Sequence, residues 1–335
     1  TDNLPEVTVN PKDNFKAVTY SGAGSVDTGF KPDLVWVKDR GAANSHHLTD
    51  SVRGATKSLQ SDNTSAETTD ATGLTSFDDL GFTVGSGTGY GGASMVSWNF
   101  KAGGDAVANN DGSIPSMVSV NQEMGFSVVK YTGNSIPGST VGHGLGAAPT
   151  LIIAKSSNAV ENWPVYGDPM GPTLMEYLDM DLPQSHGTTV WNGIYPSPTV
   201  FSVAAHQLIN ISSRDYIAYC FTNTDMLQVG EYTGADSVDD NVFVSLPFKP
   251  GFLMTKRIDG ISSWAIRDNG KEPYNPLNSV LVPDTAAGDD AGSGHDVDFL
   301  SNGFKLRNNS WLGGGAGKQL YLAIAEEPFK YARGR

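Results

Sequence analysis

The chain has 335 residues, of which 17% are charged and 39 are glycine, and it carries a net charge of −14. An acid excess with no basic cluster argues against a nucleic-acid partner, and no apolar run approaches the roughly 18 residues of a membrane helix, so no membrane insertion is expected. A single cysteine, Cys220, excludes an intrachain disulfide and a cysteine zinc cage.

Residues 1–14, with Pro5 and Pro11, read as an extended N-terminal arm. No basic stretch followed by an apolar one is present, so no secretory signal is expected. From Phe15 the chain begins to repeat itself. The segment Phe15–Gly22 recurs as Phe126–Gly133 and, more loosely, as Leu227–Gly234, with Tyr20, Tyr131 and Tyr232 in register. Downstream, Pro32, Pro149 and Pro250 each lead through an apolar run to a lysine six residues on, namely Lys38, Lys155 and Lys256. Asp50, Asp168 and Asp268 follow those lysines by 12, 13 and 12 residues. Trp163 and Trp264 stand eight after their lysines, and His46 takes that place in the first copy. Later come Phe82, Phe201 and Phe304, then a closing apolar strand at Met95–Phe100, Tyr216–Phe221 and Leu320–Ala325. Internal repetition at this many ordered positions sets the domain reading. The copies are 15–102, 126–223 and 224–335. Residues 103–125, rich in Gly, Asn, Ser and Pro, read as an extended linker.

Within a copy the apolar pattern alternates or is continuous over four residues, as in Leu34–Val37 and Leu151–Ala154. Proline before such a run suits the entrance of a buried strand. The fold class expected is all-β, with three tandem antiparallel β-sandwich or jelly-roll-like repeats. The best helix candidate is short, Thr173–Leu178.

The repeated lysine and aspartate read first as structural, with the strand-end lysine lying near the turn aspartate of its own copy. A residue that the fold requires should recur in every copy. Trp163 and Trp264 read as core or half-buried sheet residues. Gly87–Gly92 fits G-x-G-x-x-G, but a strand follows it rather than a helix, so no dinucleotide site is expected. The six histidines form no H-x-x-x-H pair, and no G-x-S-x-G elbow occurs. No catalytic residue is assigned, and the chain is not expected to be an enzyme.

Two features suggest ligands. Tyr90 and Trp311 lie among glycines after the repeated phenylalanines, and Trp191 with Tyr195 lies in a loop of the second copy. Such aromatics read first as folded back over the sandwich edge, and otherwise would make a stacking platform for a sugar ring. Asp179 with Asp181 forms one acidic cluster, and Asp289, Asp290, Asp296 and Asp298, the second, offer hard oxygen ligands to a Ca²⁺ ion, although a solvated acidic loop is the first reading of both. No other cofactor is expected.

Several long strings resemble a repeat family common in marine tailed-phage proteins. They are GFKPDLVWVKDR (29–40), TDSVRGATKSL (49–59), LTSFDDLGFTVGS (74–86), VSWNFKAGG (96–104), TVGHGLGAAPTLIIAK (140–155) and DVDFLSNGFKLR (296–307). The resemblance covers roughly residues 5–332 and carries no catalytic residues. It implies a virion structural protein that is assembled in the host cytoplasm. Its partners would be other virion proteins, and it would be a homo-oligomer or particle-bound. The expected role is a tail-fibre or receptor-binding component touching host surface glycans. A capsid decoration or knob protein docked through residues 1–14 is the main alternative, and a carbohydrate-active enzyme is a distant third.

Overall fold

A computed structural model of the chain describes residues 10–234, 242–291, 294–307 and 317–328. The protein is all-β, and one strand order occurs three times. The opening strands are Phe15–Tyr20, Phe126–Thr132 and Leu227–Thr233. The closing strands are Met95–Phe100, Asp215–Phe221 and Lys318–Pro328. Each closing strand lies between its opening strand and the strand that carries the repeated lysine, Leu34–Asp39, Leu151–Ser156 or Phe248–Arg257. Beyond the lysine strand lies His47–Asp50, Pro164–Gly167 or Ala265–Asp268, and all these pairings are antiparallel.

A smaller sheet accompanies each large one. Gly24–Asp27 pairs with Gly81–Val84, Ser139–Gly142 with Val200–Val203, and Phe243–Ser245 with Gly303–Leu306. The repeated phenylalanine of this small sheet meets the repeated tyrosine of the large one edge-on. Ring centroids are 6.1 Å apart for Tyr20–Phe82, 6.1 Å for Tyr131–Phe201 and 5.7 Å for Tyr232–Phe304. The Tyr20 and Tyr131 hydroxyls then donate to the carbonyls of Tyr90 and Ile209, which fixes the loop after the phenylalanine strand.

The continuous apolar runs follow from burial on both faces. Side chains alternate across a strand. In the first two lysine strands, Val35 and Val37, or Ile152 and Ala154, pack towards the small sheet. Leu34 and Trp36, or Leu151 and Ile153, face the other way and enter a core shared with Phe252 and Met254 of the third copy. The inner faces of the large sheets therefore bury one another. Phe100 sits where they meet, with its ring 5.2 Å from Phe126, 6.1 Å from Phe221 and 6.4 Å from Phe252. The largest apolar core runs between the copies and on into the third copy's own pair of sheets, while the first and second copies keep separate cores between their two sheets.

Three local expectations are corrected. Residues 103–125 are not an open connector, because Val107–Asn109 and Ser116–Asn121 add two strands to the second large sheet, the latter pairing along its length with Phe126–Tyr131. The alternation in Met117-Val118-Ser119-Val120 carries that strand and outweighs the surrounding glycines. Thr173–Leu178 contains the strand Leu174–Tyr177, and among the described residues the α-helical segment is a single turn at Thr188–Trp191. Of the N-terminal arm, residues 1–9 lie outside the described residues. Pro11–Asp13 forms a 3₁₀ turn capped by the Asn10 side chain.

A shared core predicts shared stability. Phe100→Ala should cost about 3–5 kcal/mol and shift one cooperative calorimetric transition for the whole chain. Residues 15–102 expressed alone should fail to give that transition, because Trp36, Trp98 and Phe100 lose their cover.

Candidate functional site

The lysines Lys38, Lys155 and Lys256 continue the inner ladder of their strands and are fully buried. An ammonium has three donors and no acceptor, so burial demands acceptors around it. Lys38 Nζ donates to the carbonyls of Ala42 at 3.3 Å, Asn44 at 2.6 Å and Ala286 at 2.9 Å. Lys155 Nζ donates to those of Ala159 at 3.5 Å, Glu161 at 2.6 Å and Thr64 at 3.0 Å. In each case two carbonyls come from the lysine's own hairpin and one from another copy. Burial lowers both ammonium groups, Lys155 to about 8, against the opposing pull of Asp179 and Glu161 on Lys155.

The repeated aromatics cross the same boundaries. Trp163 Nε1 donates to the Gln60 carbonyl at 2.9 Å, and Trp264 Nε1 to the Tyr177 carbonyl at 2.8 Å. In the first copy the buried His46 and the Val282 carbonyl take the corresponding places, and Trp36 Nε1 donates to His46 Nδ1 at 3.0 Å. Two residues beyond each carbonyl stands an aspartate, Asp62, Asp179 or Asp284. Each accepts the backbone N–H of His46, Trp163 or Trp264 at 3.0–3.1 Å. Burial raises all three carboxyls. The second copy thus grips the first, the third grips the second, and the first grips the third. That is a closed head-to-tail ring within one chain.

The turn aspartates do not pair with the lysines of their own copies. Leu34 lies opposite Asp50, so Lys38, four residues along the strand, is roughly 13 Å further on. Asp50 and Asp268 instead receive donors from another copy. The Tyr219 hydroxyl donates to Asp50 Oδ2 at 2.9 Å, and Trp98 Nε1 donates to Asp268 Oδ2 at 3.0 Å. Arg53 and Lys271 balance their charges. The third copy has Leu322 where the others have Tyr219 and Trp98, as the strand pairings align them. Asp168 correspondingly is exposed and takes only the Tyr166 hydroxyl, at 3.2 Å.

The third lysine is also an exception. Lys256 donates to the Ser262 carbonyl and stands 3.9 Å from Glu176 Oε2, with both side chains fully buried. The corresponding places in the other copies hold Leu59 and Leu281, both in the apolar core.

The aromatic platform is not assembled. Tyr90 is 1% exposed, its ring lies 4.4 Å from His47, and its hydroxyl donates to Ser58 at 2.9 Å. It stands eight residues after Phe82, as the buried Ile209 stands after Phe201, so both plug the same inward-facing position. Trp191 is 2% exposed and packs edge-on against Tyr166 and Phe201. Tyr195 remains 58% exposed, without the tryptophan beside it. Trp311 lies outside the described residues.

The four proposed calcium carboxylates go separate ways. Asp289 pairs with Arg40 at 2.6 Å and Lys271 at 3.2 Å, Asp290 faces His295 at 3.3 Å, and Asp298 pairs with Arg307. The Asp296 carbonyl accepts the Arg307 N–H. No group of three or more His, Cys, Asp or Glu side chains arranged to hold a metal occurs among the described residues.

Sequence reasoning missed Asp62 and Asp284, and took Asp179 only as one of an acidic cluster with Asp181. A signal existed, since Asp62 and Asp179 both follow their lysines by 24 residues, but the third interval is 28 and breaks the register. The carbonyls of Gln60, Tyr177 and Val282 carry no side-chain signature at all.

Two measurements test the ring. Lys155→Met leaves the Thr64, Ala159 and Glu161 carbonyls without their donor and should cost about 2–3 kcal/mol in denaturant unfolding. Glu176 is pushed from 4.5 to about 8 by burial, against the pull of Lys256. Between those values the folded chain keeps a proton that the unfolded chain has lost, so stability falls as pH rises through the window. The slope of Tm against pH from 5 to 8 should be shallower in Glu176→Gln than in the wild type.

The family model for DUF7483, a domain of unknown function, matches residues 10–328, and the chain belongs to that family. No curated protein and no solved structure matches it.

Proposed function

We propose that this DUF7483 chain is a non-enzymatic structural protein of a tailed-bacteriophage particle surface, of the tail-fibre or receptor-binding type. The observation that carries the reading is the use made of its recurrent polar residues. Lys38 and Lys155, Trp163 and Trp264, and Asp50 and Asp268 are spent on contacts between copies. They hold a body together rather than converge on a reacting atom. The strings shared with marine tailed-phage proteins support the same setting. A rigid all-β body whose copies share one core resists local opening, which suits a particle surface exposed to proteases and dilution.

A second reading has its own support. A single chain with a closed ring of three similar copies offers three similar faces about one centre. Such a body fits a point where three neighbouring subunits of a shell meet, as a decoration or knob protein. This reading places the anchor in the N-terminal arm.

Antibody labelling of purified particles discriminates these readings in the electron microscope. Label at the tail tip is expected for the adhesive role, and label at regular points over the head assigns the decoration role. Particles without label overturn both. Removal of residues 1–9 should leave thermal unfolding unchanged, and in the decoration case should strip the protein from particles.

A further inference from the structure

A cleft of about 440 Å³ opens at the junction of the first and second copies. Lys57 and Glu67 line its first-copy side, and Lys130, Asn158 and Asp215 its second-copy side. The rim is tied shut beneath by the Glu67 N–H, which donates to the Ser157 carbonyl at 2.8 Å. Arg53 at its base is already committed to Asp50 at 2.6 Å and Glu67 at 3.2 Å, and Lys57 lies 3.6 Å from Glu67. Lys130 is different. Its ammonium has no hydrogen-bond or ion-pair partner among the described residues. Among the described residues the Asp215 carboxylate accepts only the Thr132 hydroxyl, at 2.7 Å. Asn158 uses its side-chain oxygen on the Asp215 N–H at 3.1 Å, which leaves its amide donors available.

The fold does not require these charges. Lys130 precedes the repeated Tyr131 and Asp215 precedes its cross-strand neighbour Tyr216. In the third copy the same two places hold Glu231 and Lys318, which pair with each other at 3.7 Å. In the first copy they hold Thr19 and Ser94. A feature of the shared framework recurs, as the buried lysines do. This one occurs once, and its two charges stand apart instead of closing on each other.

The geometry points to a binding site in this cleft for a carboxylated sugar unit, of the uronic-acid kind, within a surface polysaccharide. The ammonium of Lys130 and the amide of Asn158 supply donors for the sugar carboxylate. The carboxylates of Glu67 and Asp215 accept from ring hydroxyls. No aromatic face lines the cleft, so a neutral sugar lacks its stacking surface, and a phosphate dianion meets two carboxylates without hydroxyls to offer them. The inference rests on the reading of the chain as a particle-surface protein that meets host glycans, and it replaces the aromatic platform as the place of contact.

The test is titration of the purified full chain with glucuronate, methyl glucoside and inorganic phosphate, followed by NMR. Glucuronate should bind and weaken as salt is raised, and methyl glucoside and phosphate should bind at least about tenfold more weakly, a difference of about 1.4 kcal/mol. Lys130→Gln should lower glucuronate affinity by a similar factor, whereas Lys318→Gln, at the third-copy place that corresponds to Asp215, should leave it unchanged. Equal binding of methyl glucoside or phosphate, or wild-type affinity in Lys130→Gln, overturns the assignment. Particle labelling with no glucuronate binding removes the cleft alone, and glucuronate binding with no particle labelling removes the virion reading alone.

Discussion

A strand whose inner face enters a shared core has to end somewhere, and here it ends on a buried ammonium. Lys38 and Lys155 terminate the apolar ladders of their strands where backbone carbonyls of two copies converge. Those carbonyls need donors once water is excluded. A lysine supplies three from one flexible stem, so a single side chain satisfies its own hairpin and fastens the next copy. The closed ring, the common core and the burial of Phe100 all follow from that fastening. Remove the donor and the copies lose both their polar match and the geometry that lets the inner faces meet.

Much of this was legible in the sequence, and what escaped did so for identifiable reasons. The spacing from Pro to Lys located the lysine strands, because a fully buried strand reads as an unbroken apolar run. The ring itself was hidden, because the partners of Lys155, Trp163 and Trp264 are backbone carbonyls, which any residue provides. The intracopy pairing of lysine with turn aspartate looked natural along the chain. It fails because the two stand at opposite ends of one strand pair. Tyr90 follows the plainer of its two readings, an aromatic folded back over the sandwich edge. Glycines around an aromatic suggest an exposed tip, yet the same glycines let the loop fold the ring back onto His47. The strand Ser116–Asn121 was masked by the turn-forming composition around it.

The three junctions share a plan without sharing every residue. Where Trp98 and Tyr219 donate across a boundary, the aspartate they meet is buried, and where Leu322 stands instead, Asp168 turns to solvent. Where the core position is Leu59 or Leu281, the neighbouring lysine is satisfied by carbonyls, and where it is Glu176, the lysine gains a carboxyl group. Each departure is matched by a change in its direct partner, which indicates that the pairs act as units.

Covalent continuity gives that variation its meaning. In a homotrimer one codon writes the same residue at three interfaces, so a change good at one boundary is imposed on the other two. Joined end to end, the boundaries become separately editable. Glu176 places a buried carboxyl group at one of them, and Lys130 with Asp215 lines an open cleft at another. The third-copy equivalents, Glu231 and Lys318, keep theirs closed. The molecule keeps the load-sharing of a ring while behaving, towards anything that touches its sides, as a body with three distinguishable flanks.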